Sequence, residues 1–521
     1  LRIFLKLEVV PRLVIPYILD RPRRYGSGLS KPIRSEDARN RLVVEFSSPN
    51  ITSEIQGKHL RSTIIGAFIS RLYESMNWEV TRINYLGDWG KPIALLYVGW
   101  TKFGSQESYD TDPVGHLLEV YHQIEGLFQP EQIASRQARD DAAKEGKDEG
   151  EAQAEIESKG LFAERNEAFK KLEEGDQEVR VFWERVRNVM VEDYTRFYDR
   201  LGVRFDEYSG ESQVSAETMI EVEQMLKNKG ISEESAGAWM VDMTKLGARA
   251  GHAIARDRSG SSTYLLRDLA AVFERSRKYS FDKMIYVVAS DNSVHFSQLI
   301  KIVEALDKDL ASKLQHVKFS ESSKMATALG KGYKPQAILD RCKEAVAALS
   351  EVDPEKGGLM GDSEDVMQGL ATSALLVQEL STRFSTVHAY DTSTLASFKP
   401  GSGPDLQYWH AKIQALLDGH STNTALSDAD FGSLADEDQA NLLRTLAQYP
   451  EVVKTTYHSF EPSGVVAYLT GVAEQLSDCL SEEDEPKVTP GLAALLEATN
   501  IVLGNGLGLL GVVPLFPVLP S

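Results

Sequence analysis

The sequence predicts an α/β protein in which a doubly wound parallel sheet is followed by an all-helical domain. Two patterns carry this. Leu42–Phe46, Glu79–Leu86 and Lys283–Ala289 are short runs rich in β-branched and apolar residues, the signature of strands buried in a parallel sheet. From Val366 onward the apolar residues recur at helical spacing instead, in Val366–Phe384, Leu406–Leu417, Asp436–Gln448 and Ser463–Leu480, as in a helical bundle.

The first strand, Leu42–Phe46, runs into a Ser-Ser-Pro-Asn turn. After it Leu60, Ile64, Ala67, Phe68, Leu72 and Met76 line one face of a helix that Asn77-Trp78 ends, and Glu79–Leu86 is the next strand. This is a βαβ unit, and folds of this kind bind ligands beyond the carboxyl end of the first strand. Ser47–Lys58 lies there. Phe103–Phe205 reads as a mostly helical insertion, whose middle, Gln129–Gly160, has hardly any large apolar residue and reads as a solvated helix or disordered arm. Ser262–Phe273 is a helix, Lys283–Ala289 a buried strand, and the Asp-, Glu- and Gly-rich Ser350–Ser363 a linker.

Composition narrows the function classes. The 521 residues are 42% hydrophobic and 26% charged, enough for two or three domains with sizeable cores. A net charge of −20 disfavours nonspecific binding to phosphate backbones without excluding a local basic groove. Cys342 and Cys479 lie far apart, which fits a reducing compartment and gives no disulfide framework. No metal-ligand spacing is present, so no metal is expected. No run reads as long and apolar enough to span a bilayer; the nearest, Ile501–Pro520, is broken by four glycines and three prolines and reads as the end of a packed helix plus an apolar tail. No membrane association is expected, and the cytoplasm is the default compartment.

Val43–Gly66 reads VVEFSSPNITSEIQGKHLRSTIIG, and further blocks follow in order. They include Asn84–Lys91 (NYLGDWGK), Tyr208–Val214 (YSGESQV), Ser262–Ala270, Phe281–Ser290, Gly401–His410, Tyr449–Val453 and Glu461–Tyr468. From about Val14 onward the chain resembles the arginyl-tRNA synthetase family of class I. The resemblance implies a Rossmann catalytic domain over 42–349 with its helical insertion at about 103–205. Residues 350–365 would be a linker, 366–521 a helical anticodon-binding-like domain, and 1–41 the remnant of an N-terminal module. It also implies an arginine pocket formed by Glu45, Asn50, Tyr264 and Asp268, with Glu211 a further acidic candidate and Asn292 standing where the family has Gln. Tyr264 and Asp268, four positions apart, share a helical face. Carboxylates beside an aromatic wall suit a planar guanidinium.

The nucleotide-handling residues depart from the family. Its loop carries His-Ala-Gly-His before Leu-Arg-Ser-Thr; here Gln56-Gly57-Lys58-His59 precedes Leu60-Arg61-Ser62-Thr63. A preceding family Lys corresponds to Ser53. The second signature, Met-Ser-Thr-Arg-Lys-Gly in eukaryotic members, corresponds to Met325-Ala326-Thr327-Ala328-Leu329-Gly330, flanked by Lys324 and Lys331. Phosphoryl transition states are stabilised largely by charge, so activation of arginine by ATP is not expected. In the helical domain Asp405 replaces a family aromatic beside Gln407 and Tyr408, the candidate tRNA contacts.

Retained arginine recognition without nucleotide chemistry points to a substrate already activated as arginyl-tRNA. The chain therefore looks like the fungal arginine-containing cyclodipeptide synthases. It is expected to join arginine from arginyl-tRNA to a residue from a second aminoacyl-tRNA, without ATP or another cofactor, with His59 as general base and Lys58 as phosphate contact or proton shuttle. The alternatives are a divergent arginine–tRNA ligase and a catalytically inactive arginine- or tRNA-binding protein.

Overall fold

The computed structural model describes residues 9–28, 39–235, 237–247, 251–257, 260–320, 336–386, 396–420, 426–434, 436–480 and 487–516. Its centre is a five-stranded parallel sheet. The strands that build it are β1 (Arg41–Glu45), β2 (Glu79–Leu86) and β3 (Glu207–Gly210), with β7 (Lys283–Ala289) and β8 (Leu314–Phe319) from later in the chain, in the order β3-β2-β1-β7-β8. Alternate residues of β1 serve two cores. Leu42 and Val44 face the Gly57–Ser75 helix and the helical domain, whereas Val43 packs with Met284, Tyr286 and the Tyr264–Tyr279 helix. Gly66 permits the close approach of the Gly57–Ser75 helix to β1, since a Cβ there would lie 2.2 Å from Phe46 Cγ.

The helical insertion takes the form of Gln106–Thr111, Pro113–Glu145, Glu149–Glu157, Gly160–Glu173 and Gln177–Arg200. Its polar middle is two helices broken at Gly146, which adopts the left-handed conformation at φ 66°. An antiparallel sheet of β4 (Ser232–Ser235), β5 (Ala238–Asp242) and β6 (His252–Arg256) also lies between β3 and β7.

Three stretches carry more helix than the sequence alone suggests. The stretch read as a linker contains the helices Leu349–Val352 and Pro354–Met360. Asp353 caps the second of these, Pro354 suits its first turn, and Gly357 and Met360 are buried. The N-terminal part includes the helix Val9–Leu19, which packs on Glu437–Leu446 and Pro490–Leu510. Pro490–Leu510 itself is a continuous 21-residue helix containing an 18-residue window of mean hydropathy 1.4, long and apolar enough by those measures to cross a membrane. Of that window 67% is buried, so apolarity on all sides reflects a core helix. The glycines read as breaks within it are Gly504, Gly506 and Gly508; Gly506 faces Leu469 at close range, and the helix ends at Gly511.

Candidate functional site

β1 ends in a strained turn. Ser47 and Ser48 both have positive φ, 72° and 53°, a conformation that costs energy unless neighbours hold it. They do. The Ser47 N–H donates to Ser62 Oγ at 2.9 Å, Ser47 Oγ meets Tyr198 Oη at 2.7 Å, and the Ser48 N–H donates to Asn84 Oδ1 at 3.0 Å. Asn50 Oδ1 accepts from the N–H and hydroxyl of Thr52 at 2.9 and 2.8 Å. That oxygen of the expected arginine contact is committed to its own loop.

The Gly57–Ser75 helix begins directly after this loop. His59 caps it, its Nδ1 accepting the Gln56 N–H at 3.0 Å. Burial, helped by the Lys58 charge, pushes the imidazole pKa down to about 3. A ring titrating there is a weak proton acceptor at neutral pH, so the geometry makes His59 a capping group rather than the expected general base. Lys58 Nζ lies 3.7 Å from Asp291 Oδ2, bridging the helix start and the end of β7. Asn292 is exposed and its Nδ2 donates to Asp291 Oδ1 at 3.2 Å. Arg61, one turn into the helix, is fully buried. It donates to the carbonyls of Ser320, Thr386 and Arg383 at 2.7, 3.2 and 3.4 Å and sits 3.7 Å from the buried Glu379 carboxylate. The second signature, Met325–Gly330, lies outside the described residues.

On the other side of β1 the remaining candidates gather. Glu45 is buried and ion-paired with Arg275 at 2.5 Å. Burial raises its carboxyl pKa against the pull of that guanidinium. The expected substrate contact is therefore already occupied by an internal arginine. Asp268, on the Tyr264–Tyr279 helix, meets His295 Nε2 at 2.7 Å, and the His295 ring lies 5.1 Å from that of Tyr264, which is 64% exposed. Glu211 follows β3, and its pKa is pushed up to about 8, first by burial and then by the Asp268 charge. Its backbone is fixed from two sides. Arg267 donates to the Glu211 carbonyl at 2.9 Å, and Asp88 accepts the N–H and hydroxyl of the next residue, Ser212, at 2.9 and 2.8 Å. Gly210 is required here, because a Cβ would stand 2.3 Å from Asp88 Oδ2.

Glu211 and Asp268 thus converge, with Glu45 and Arg275 close enough to act on both Asp268 and Tyr85. Two carboxylates in a low-dielectric setting favour a cationic ligand. Sequence reasoning missed Tyr85, Asp88, Arg275 and His295. Tyr85 and Asp88 were inside the NYLGDWGK block, the one signal that pointed to them.

Gln407 and Tyr408 lie far from this in the chain and face inward, 1% and 4% exposed. Gln407 Nε2 donates to the Val513 carbonyl at 2.8 Å, and its Oε1 accepts the Leu515 N–H at 3.2 Å. Gln407 holds the C-terminal segment, Tyr408 packs against Phe398 and Trp409, and neither offers an open face to a base. Asp405, which stands where the family has an aromatic, is buried as well, accepting the Gly401 N–H at 3.0 Å beside Lys356 at 3.6 Å.

A parallel sheet with a strained loop after its first strand, a helix starting from that loop and a helical domain packed on the helix define a class I synthetase-like architecture. Solved structures share it. The arginyl-tRNA synthetase of Thermus thermophilus superposes with TM-score 0.72 at 19% identity over 98% of this chain and 86% of its own. That of Plasmodium falciparum gives 0.69 at 18% identity over 92% and 78%. The family model for class I (R) tRNA synthetases, catalytic domain, matches residues 29–391, and that for the DALR anticodon binding domain matches 406–516. The cytoplasmic arginine–tRNA ligase of Saccharomyces cerevisiae is 35% identical over 99% of this chain and 81% of its own length. The mitochondrial arginine–tRNA ligase of that yeast is 33% identical over 99% and 77%. The chain belongs to the arginyl-tRNA synthetase family of class I.

These matches overturn the cyclodipeptide synthase expectation, and with it the second aminoacyl-tRNA as a partner. Relatives at 30–35% identity across 96–99% of the chain bear the name arginine–tRNA ligase. A few loop substitutions weigh less than similarity through both domains. The relatives include cytoplasmic and mitochondrial proteins, so the likeness spans both compartments.

Proposed function

We propose that this chain is an ATP-dependent arginine–tRNA ligase. The supporting observation is that its similarity to proteins of that name extends through both catalytic and anticodon-binding regions, across 99% of its length in the first case. The Glu211–Asp268 cluster gives that reading a physical basis, since it favours a guanidinium. In the reaction the arginine carboxylate attacks the α-phosphorus of ATP and pyrophosphate leaves. A hydroxyl of the terminal tRNA ribose then attacks the activated carbonyl and AMP leaves. The chain's own part is to hold the guanidinium on the β3 side of the sheet and to align the carboxylate with the loop after β1.

One observation favours a second reading, arginine and tRNA binding without turnover. Ser53, Gln56 and Lys58 replace residues that handle phosphates in the family this chain resembles, and His59 is held neutral by burial. Arginine- and tRNA-dependent ATP–pyrophosphate exchange separates the two. Exchange that requires arginine supports the ligase. Arginine and tRNA binding with no exchange above background supports the second reading instead.

A further inference from the structure

Tyr85, near the end of β2, is 9% exposed. Its ring covers Arg275, whose Cζ lies 4.5 Å from the ring centroid, a contact that the ring alone supplies. Its hydroxyl is different. It makes no hydrogen bond with any described residue, although the charges of Asp268, Arg275, Glu211 and Glu45 all bear on it. Buried hydroxyls are almost always paired, and one that is not carries a desolvation penalty a phenylalanine would avoid. The packing needs a ring here, not an oxygen.

We propose that the Tyr85 hydroxyl is a substrate-contacting residue that takes part in guanidinium recognition, an inference that rests on the arginine-binding reading above. A guanidinium has only N–H donors, and a phenol oxygen is both acceptor and donor. The oxygen accepts one guanidinium N–H, and its own proton is donated to Asp268 or Glu211. Arg275 stays paired with Glu45 against the ring and takes no part. Asp268, oriented by His295, supplies the charge; Tyr85 adds a directional contact.

The test uses the full chain, L-arginine as the probe, and Tyr85→Phe, which removes one oxygen that has no partner among the described residues. The variant is expected to melt at the same temperature as the unaltered chain or above it, and to bind arginine by calorimetry about tenfold to a hundredfold more weakly, as for loss of a hydrogen bond to a charged group. A purely structural tyrosine leaves arginine affinity unmoved, so equal affinity overturns the inference alone. Absence of arginine binding by the unaltered chain overturns both this inference and the reading beneath it.

Discussion

The two sides of β1 differ in the sign and use of their buried charge. On the β3 side, Glu211 and Asp268 bring two carboxylates together beside two guanidiniums that are already engaged, Arg275 with Glu45 and Arg267 with the Glu211 carbonyl. On the side of the loop after β1, the buried cation Arg61 is committed to backbone carbonyls and Glu379, and His59 is uncharged. The first region keeps electrostatic potential in reserve for a ligand; the second has most of its charge tied into architecture. Charge in reserve marks a binding site more reliably than charge that is merely present.

The largest expected effect tests the architectural half. Arg61→Ala removes the guanidinium facing a buried carboxylate and is expected to lower unfolding free energy by about 3–5 kcal/mol in urea titration. Replacing Arg61 and Glu379 together by leucine should cost much less, because neither charge is then left inside. A stable Arg61→Ala protein would mean that this cation is also available to a ligand, and the contrast would fail. Next in size, Asp268→Ala is expected to weaken arginine binding at least about a hundredfold, as truncating one member of a desolvated charge pair does, with little change in melting. Unchanged affinity would remove Asp268 from the site.

The pH dependence sharpens the comparison further. Glu211 titrates near 8 in the folded chain against an ordinary value of 4.5. The folded state therefore holds the extra proton between those values, and stability from this group declines as pH rises from about 4.5 through 8. A guanidinium reverses the preference by favouring the ionised carboxylate. Arginine affinity is expected to climb from pH 6 to about 8, by at most roughly tenfold per unit for one released proton, and then to level off. Glu211→Gln should flatten the profile. A profile unchanged by that substitution would assign the titration to another group.

How much of this could be read in the sequence follows from what each residue is next to. Glu79–Leu86 and Lys283–Ala289 read as strands and are strands over those residues, the second because a buried parallel strand leaves a nearly continuous apolar run. Ser463–Leu480 was equally legible as a helix. Glu211 and Asp268 could be proposed from residue type and motif. Their partners could not, because Arg275 and His295 are ordinary members of helices until the fold brings them to Glu45 and Asp268. The burial of Gln407 and Tyr408 was not legible, because a polar or aromatic side chain on a helix looks the same in sequence whether it faces solvent or, as Gln407 does, the Val513–Leu515 backbone. His59 kept its identity and took a capping role that only the 3.0 Å contact to Gln56 reveals.

The smallest effect concerns Lys58, the cation that this chain places in the loop. Its pair with Asp291 is long at 3.7 Å, and the two side chains are 30% and 50% exposed. Screened by solvent, such a pair contributes at most about 1 kcal/mol, so Lys58→Ala should scarcely shift the melting temperature. Its effect on ATP–pyrophosphate exchange discriminates more than its size implies. A severalfold fall makes Lys58 a replacement for the phosphate-handling charges the loop no longer has, because an ammonium at a helix start stabilises phosphate oxygens. A rise makes it an obstruction, the cost of a side chain where the family has glycine. The first outcome would mean that the loop's chemistry has moved by two residues; the second, that only the acidic side of β1 still works as its relatives' residues do.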